Sequence, residues 1–297
     1  MGNVAVFTRR NIVLFLRDKA TVFFSFLSTI ILIALYFLFI GKSYADGVAD
    51  ILGNYISMDN IYALVYIQMM VGVLVLNSLS LSIGAFSTIA KDFETRRVDS
   101  FLITPAKPGG LLLSYFFGGF AVSFVLNLFT WILSIVLIGL LYGYWVSLSA
   151  AVIVALVLVF ASAVSCAITL LITAIVKTSA AIGVFSGVAG TFFGFICGIY
   201  MPYETLGSGM VIAGSVLPFT HIAIWLKQIV LKDAFAVLST PKEFQSSLLS
   251  SFSANNIGLA GVDLSQWLTL AYTGVFALLC LLIAWWMIGR KLYLRNK

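Results

Sequence analysis

Few residues in this chain have the types and spacing that chemistry requires. The single histidine, His221, has no Cys, Asp or Glu at metal-ligand spacing, so a metal site would need ligands from distant segments. Gly41-Lys42-Ser43 matches the end of a phosphate-binding loop, but Tyr36 stands where that motif needs its first glycine. Paired carboxylates and a GxSxG elbow are also absent from the apolar segments. We therefore expect no catalytic, metal, cofactor or nucleotide site in this chain, and no enzyme activity of its own.

The segment 91–108 has the pattern of a docking site for a partner protein. Residues 92–103 are predicted to form a short helix that Thr104 and Pro105 end, since proline cannot continue a helix. Three apolar residues share one face of that helix at i, i+3, i+4 spacing: Val98, Phe101 and Leu102. Charged residues occupy the other face. The alternative interpretation is a solvated loop whose charges only orient the neighbouring membrane spans.

The composition indicates that lipid surrounds most of the elements that must position this segment. Of 297 residues, 62% are hydrophobic and 9% are charged, whereas about a quarter of a soluble domain is charged. The net charge of +6 does not indicate nucleic-acid binding, because no run of five like charges occurs. All three cysteines lie in apolar runs without a CxxC pair, and we interpret them as small hydrophobic residues: Cys166, Cys197 and Cys280.

Six segments are long and apolar enough to cross a bilayer as helices, which takes about 20 residues. They are predicted at 20–40, 61–90, 110–141, 148–176, 179–200 and 265–288. The charge-free stretch 108–176 is too long for one span, and we expect it to turn at 142–145. A further apolar stretch, 205–226, is interrupted by glycines and Pro218. We expect that 201–226 forms a re-entrant or interfacial hairpin on the outer side, with a badly predicted seventh span as the alternative.

Charge asymmetry orients the predicted spans. Basic residues precede the first span and follow the last, so the positive-inside rule places both termini in the cytoplasm. With six spans, the cytoplasmic segments hold 13 of the 17 basic residues and 4 of the 11 acidic residues, and none of these charges lies within a span. Residues 1–19 are predicted to lie in the inner interface as a helix, and 227–263 to form an extracytoplasmic loop with short helices. We expect a single transmembrane domain over 1–297.

The absence of charge from the predicted spans bears on the source of energy. Ion-coupled carriers keep ionisable groups within the membrane to bind the coupling ion. If this chain moves a substrate uphill, the energy must therefore come from a separate motor. Two alternatives stay open: an ion-coupled secondary transporter or channel, and a lipid-modifying membrane enzyme that would use His221 and Glu204 at the outer face.

The segment 91–108 resembles the coupling-helix segment of type-2 ATP-binding-cassette (ABC-2) exporter permeases. Seven residues fall on that family pattern: Glu94, Val98, Asp99, Phe101, Leu102, Thr104 and Pro105. Two positions depart from it, since Arg96 stands where the family commonly has glycine and Asp99 where it more often has glutamate. A second match is the run 217–221 followed by Lys227, which is similar to the family's outer Leu-Pro-x-Thr segment before an arginine.

The resemblance implies an all-α permease subunit with cytoplasmic termini, a coupling helix between spans 2 and 3, and an outer re-entrant hairpin between spans 5 and 6. Two such chains, as a homodimer or a pair of similar permeases, would work with two copies of a cytoplasmic ABC ATPase that binds the ATP and Mg. Residues 94–105 would dock into a cleft of that ATPase. Four residues would form the outer re-entrant segment or gate: Pro202, Glu204, Pro218 and His221.

The apolar spans favour a hydrophobic or amphipathic substrate, such as a drug, a peptide or a lipid-like molecule. The resemblance implies that this substrate leaves the cytoplasm. We expect the chain in the plasma (inner) membrane of a bacterium, in contact with membrane lipid.

Overall fold

The computed structural model describes residues 2–52, 55–102, 108–176 and 178–295, and these ranges are almost wholly helical, with no β-strand beyond an isolated bridge. Twelve α-helices follow one another in the described chain: α1 (Gly2–Arg17), α2 (Lys19–Leu35), α3 (Gly41–Leu52), α4 (Met58–Glu94), α5 (Arg97–Leu102), α6 (Pro108–Tyr142), α7 (Leu148–Ile175), α8 (Ser179–Ile196), α9 (Ser208–Ser215), α10 (Pro218–Val237), α11 (Lys242–Ser251) and α12 (Gln266–Arg295). A π-helical turn over Tyr36–Ile40 joins α2 directly to α3.

Five helical stretches of the described chain are long and apolar enough to cross a membrane: Lys19–Leu52, Met58–Glu94, Gly109–Tyr142, Leu148–Ile175 and Gln266–Arg290. A sixth is added if α9 and α10, which meet at a bend of 93°, are counted as one broken span. Stretches of this length and composition make the chain a multi-pass membrane protein. The eighteen residues of α8 would span about 27 Å, close to the hydrocarbon thickness of a bilayer.

The helices run between two ends of the bundle. We call the end that carries α1, α5 and the first turn of α8 the proximal end, and the end that carries α3, α9 and α11 the distal end. The segments 91–94 and 108–115 meet α1 at the proximal end, and α12 returns there, with Trp285 close to Gly109. At the distal end, the Tyr36 hydroxyl donates to the Ile199 carbonyl at 2.7 Å, which joins the first stretch to the turn after α8.

Helix α4 lies at the centre of the bundle. Its most apolar stretch is 89% buried inside the chain, against 14% for Lys19–Leu52, and α4 packs on the helices around it, namely α2, α3, α6, α7, α8 and α10. Amide and hydroxyl side chains of α4 form hydrogen bonds with side chains of the neighbouring helices. Lipid hydrocarbon could not offer these groups a hydrogen-bond partner. Asn77 accepts from the Thr29 hydroxyl at 2.7 Å and donates to Asn127 and Thr130 at 3.1 and 3.2 Å. Interhelical bonds of this kind fix helix register inside a membrane.

The elements differ from the predicted boundaries mainly outside the spans. Helix α4 continues to Glu94, so the short helix predicted over 92–103 is divided by Thr95 and Arg96 into the end of α4 and α5. Helix α10 runs on to Val237, past residue 227, where the hairpin was expected to end and a loop with short helices to begin. Its later residues are buried at helical spacing, since Val230, Leu231 and Ala234 are each 0% exposed, and this packing favours the longer helix.

Candidate functional site

Helix α1 is joined to the bundle by a buried ion pair at the proximal end. The Arg10 guanidinium donates to both carboxylate oxygens of Asp92, at 2.9 and 3.0 Å, and the Tyr115 hydroxyl donates to Asp92 Oδ2 at 2.7 Å. The Asp92 side chain is only 1% exposed. Burial acts to lower the pKa of Arg10, but the hydrogen bonds and negative charge of Asp92 outweigh it and hold that pKa above its usual value. These bonds tie α1 to α4 and α6.

Helix α5 rests its apolar face on the same chain. Val98 is 0% exposed and belongs to a buried cluster with Leu111 of α6. The Phe101 ring packs edge-on against Phe7, with centroids 5.2 Å apart, and the Arg10 guanidinium lies 4.7 Å from the Phe101 centroid. Contacts between a guanidinium and a ring are favourable at this distance. Thus α5 is positioned by α1 as well as by α6.

The carboxylate of Glu94 joins the end of α4 to the start of α8. It accepts from the backbone N–H and the hydroxyl of Ser179, both at 2.9 Å. Helix N-termini leave N–H groups without partners and carry partial positive charge, so a carboxylate stabilises them. Thr178 caps the same turn by accepting from the N–H of Ala181 at 3.2 Å. The proximal end of α8 is therefore held by the residue immediately before the α4–α5 break.

The outward surface of this segment is polar. Thr95, Arg96, Arg97 and Ser100 are exposed, and Asp99 is half-buried. Arg96 has a φ of 55°, a left-handed conformation that glycine adopts without steric cost. Of the residues predicted to contact a partner, the side chain of Leu102 and all of Thr104 and Pro105 lie outside the described residues.

A cavity of about 1320 Å³ follows one face of α4 from the proximal to the distal end. Helices α2 and α3 form one wall and α8 forms the other. Its floor on α4 is one face of the helix. Along this face run residues spaced alternately by three and four, with Leu76 and Ile83 beside them: Asn77, Ser80, Gly84, Ser87 and Lys91. Tyr200, Met201 and Pro202 close its distal end. We call this cavity, with these walls, floor and distal residues, the groove.

The bend between α9 and α10 is held by side-chain hydrogen bonds. Three side chains donate at 2.7 Å to successive carbonyls at the end of α9: Thr220 to Gly214, His221 to Ser215, and Tyr272 to Val216. A carbonyl only accepts, so Nε2 of His221 carries the proton in this bond. Pro218 stands in the first turn of α10, where its missing N–H costs nothing. His221 therefore supports the backbone here.

A buried lysine fixes the turn that follows α8. Lys227 is 2% exposed, and its ammonium donates to the carbonyls of Gly198 at 2.8 Å and Phe252 at 2.7 Å. The neighbouring N–H of Tyr203 donates to the Ser253 hydroxyl at 2.7 Å. The side chain of Glu204 lies outside the described ones. These bonds hold the distal closure of the groove on α10.

A comparison with protein families identifies the chain. The model for the ABC-2 family transporter protein matches residues 53–286, which include α4 to α11 and most of α12. The chain belongs to the ABC-2 transporter family. No curated protein matches it. The resemblance first seen in the segment 91–108 is confirmed at the level of the family.

Family membership fixes the general role of the chain. An ABC-2 permease is the transmembrane component of a transporter and is generally not catalytic itself. Membership in this family implies that the chain pairs with an ABC ATPase subunit. In the ranges that the structure describes, no group of three or more His, Cys, Asp or Glu side chains is arranged to hold a metal ion.

The permease brings the predicted residues together in two places. Glu94, Val98, Asp99 and Phe101 lie within one segment at the proximal end, and Pro202, Pro218 and His221 lie at the distal end. The two sets are at opposite ends of the bundle, and the groove lies between them.

Sequence reasoning missed three side chains that organise these places. Asp92 and Ser179 received no role, and Lys227 was read only as part of a family motif. A signal existed for Asp92, because its segment and the helix that contains Arg10 were both expected on the cytoplasmic side. It was insufficient to pair them, since 82 positions separate the two.

Proposed function

We propose that this permease is the membrane subunit of an ABC exporter that moves a hydrophobic or amphipathic molecule out of the cytoplasm, with ATP hydrolysed by a separate subunit. A drug, a peptide or a lipid-like molecule fits this description. The groove carries the proposal, because it runs the length of the bundle and is lined mainly by apolar side chains. At its proximal mouth, Ser179 connects it to the segment expected to meet the ATPase.

The proximal end faces the cytoplasm in this proposal, and α8 is one of six spans. The positive-inside rule supports the orientation, because the proximal segments hold Arg9, Arg17, Lys91, Arg97 and Arg290. The bent pair α9 and α10 is then a re-entrant hairpin on the outer side. Its carbonyls receive side-chain donors, as backbone that leaves helical form near a membrane requires.

Coupling to the ATPase passes through α5 in this proposal. Residues 94–105 of each permease dock into a cleft of an ATPase copy, and the closure of the two ATPase copies on ATP displaces α5. The packing of Val98 and Phe101 inside the permease lets α5 transmit that displacement instead of moving alone. Glu94 carries it to α8, and Arg10 carries it to α1. The walls of the groove move as a result, which is a rigid-body mode of switching.

A second permease, identical or similar, completes the substrate path. Exposed apolar side chains outside the groove lining lie on both walls, as Leu38 at 72% and Val184 at 70% show. Apolar contact between chains at this face would enclose the groove. The assembly is then two permeases and two ATPases.

Co-purification and charge reversal test the proposal together. An ATPase encoded beside this chain should bind the permease, and its hydrolysis rate should respond to it. Glu94→Lys and Phe101→Ala should abolish ATP-driven export while membrane insertion stays intact, because the first breaks the bond to Ser179 and the second removes the contact with Phe7. Glu243→Lys at the distal end and Phe129→Ala on the exposed face of α6 are the matched controls.

Two results would contradict the proposal. Normal export by both proximal variants would remove the coupling role from α5. Transport in vesicles driven by an ion gradient without ATP would instead favour the ion-coupled transporter or channel.

A further inference from the structure

The two halves of the groove differ in chemistry. The distal half contains five aromatic rings: Tyr36, Phe39, Tyr44, Phe195 and Tyr200. The proximal half has one ring, Phe24, and is otherwise lined largely by small or hydroxyl-bearing residues such as Thr21, Gly84 and Ala180. An elongated ligand that matched both halves would have a polar part at the proximal end and an apolar part at the distal end.

Neutral side chains on the floor of the groove offer hydrogen bonds to a ligand. The Ser87 hydroxyl donates to the Gly84 carbonyl at 2.7 Å, so it can act only as an acceptor for a ligand. The amide of Asn77 is engaged with Thr29, Asn127 and Thr130. The Ser80 hydroxyl, by contrast, forms no hydrogen bond with any other side chain or carbonyl that the structure describes, and it faces Gly190 across the groove. Gly190 has no side chain to fill the space beside that hydroxyl. A ligand hydroxyl or amide at this position would pair with Ser80.

Two positive features in the described lining of the proximal mouth already have negative partners. Lys91 forms an ion pair with Asp18 at 3.0 Å, and the N-terminus of α8 is capped by both oxygens of Glu94. Neither carboxylate lines the groove. An anionic group would have to displace Asp18 or Glu94, and a cationic group would find no carboxylate among the described residues that line the groove. An unpaired charge within the membrane is costly, so the lining favours a neutral group.

We infer that the groove binds an amphiphile with an uncharged, hydrogen-bonding head group, oriented with its head between Ser80 and Ser87 and its apolar tail among the distal rings. Sugar-like and amide-like heads belong to this class. The inference rests on the proposed function for the identity of the groove as the substrate path, and it adds the chemistry and the orientation of the substrate. The distal rings provide large apolar contact areas for the tail.

Photolabelling of the full-length permease in lipid nanodiscs tests the inference. Three probes share a dodecyl chain with a terminal diazirine and differ in the head: β-glucoside, trimethylammonium or sulfate, each below its micellar concentration. The glucoside probe should label 36–44 and 195–202, and excess unlabelled dodecyl glucoside should compete. The charged probes should label these segments weakly. Peptide mapping by mass spectrometry locates the labels.

Variants of the floor separate head-group recognition from partition into lipid. Ser80→Ala and Ser87→Ala should each weaken glucoside labelling about twofold to tenfold, which is the effect of one lost hydrogen bond. Ser80→Thr keeps the hydroxyl and should restore labelling. Ser162→Ala changes a buried serine on α7 outside the groove and is the matched control.

Several outcomes would overturn the inference. Equal labelling by all three probes, labelling of 20–24 and 180–183 in place of the distal segments, or labelling that no competitor reduces would each do so. Equal effects of Ser80→Ala and Ser162→Ala would reject recognition by the floor. Labelling needs no ATPase, so a permease that binds the probe but no ATPase would contradict the exporter assignment and leave the binding site intact.

Discussion

Arg10 and Asp92 determine where α1 lies. Arg10→Ala would leave the buried Asp92 carboxylate with the Tyr115 hydroxyl alone, and an uncompensated buried charge is strongly destabilising. We expect a loss of about 3 kcal/mol in the free energy of unfolding, measured by denaturant titration in detergent micelles. Arg9→Ala is the control, since Arg9 is exposed. Equal losses in the two variants would show that the ion pair does not stabilise the fold.

The backbone conformation of Arg96 explains why glycine is common at this position of the family pattern. The sequence showed an arginine where glycine is common, and the φ of 55° shows that the backbone there has the conformation that glycine favours. Arg96→Gly should leave stability unchanged or raise it, whereas Arg96→Val should lower it by about 1–2 kcal/mol because a β-branched residue resists this conformation. Thermal unfolding of both variants measures the difference. A stable valine variant would mean that the α4–α5 break does not depend on this conformation.

At the scale of elements, Asp18 begins the first spanning helix. Its carboxylate accepts from the Thr21 N–H and from Lys91, both at 3.0 Å, and these bonds, the one from Thr21 above all, lower the pKa of Asp18 to about 2. A carboxyl whose pKa is lower in the folded state stabilises the fold at neutral pH. That contribution is lost as the pH falls from about 4 to about 2.

Two substitutions separate the cap from the charge of Asp18. At pH 7, Asp18→Ala should cost about 1 kcal/mol because it removes a helix cap. Asp18→Asn should cost less, since asparagine also caps and the half-exposed pair with Lys91 contributes little. The stability difference between the parent protein and Asp18→Asn should shrink between pH 4 and pH 2, as followed by thermal unfolding. A difference that is constant with pH would exclude the Asp18 charge as its source.

The composition of the sequence predicted that the membrane-spanning helices exist, but it did not predict the residues at which the helices end. Long apolar runs indicated the spans directly, because lipid requires about 20 such residues. Helix α10 extends to Val237, past Lys227, whose charge marked the expected start of the extracytoplasmic loop with short helices. In the structure that ammonium has two carbonyl acceptors from segments far away in the chain. A local pattern cannot reveal such partners.

At the scale of the whole molecule, the groove could not be predicted from the sequence. All the spans are apolar, so a residue that faces lipid has the same type as one that faces a cavity. The residues that face the groove can be told from those that face lipid only because α2 and α8 pack on opposite sides of α4. The segment 91–108 was different, because its apolar residues recur at helical spacing between charged ones and Pro105 predicts the end of a helix.

The exposed wall of the groove predicts where two permeases meet. Val184→Cys should form a disulfide between two copies on mild oxidation, because Val184 is 70% exposed on α8 at the face we assign to the second chain. Leu140→Cys, at 72% exposure on α6, should stay monomeric and is the control. The native cysteines are buried and should not interfere. Non-reducing gels measure both. Cross-linking through position 140 alone would place the contact on the other side of the bundle.

The ion pair between Arg10 and Asp92 also sets an order of events during synthesis. Its partners are 82 positions apart, so at roughly 5–20 residues per second Arg10 waits about 4 to 16 s for Asp92 to be made, and longer for Tyr115. Until then α1 can contact α2 but lacks α4 and α6, which provide most of its packing surface, and we expect it to rest among lipid head groups. Helix α1 thus reaches its final position only after α4 and the start of α6 have been made, and a chain released before Tyr115 would lack one of the two partners of Asp92.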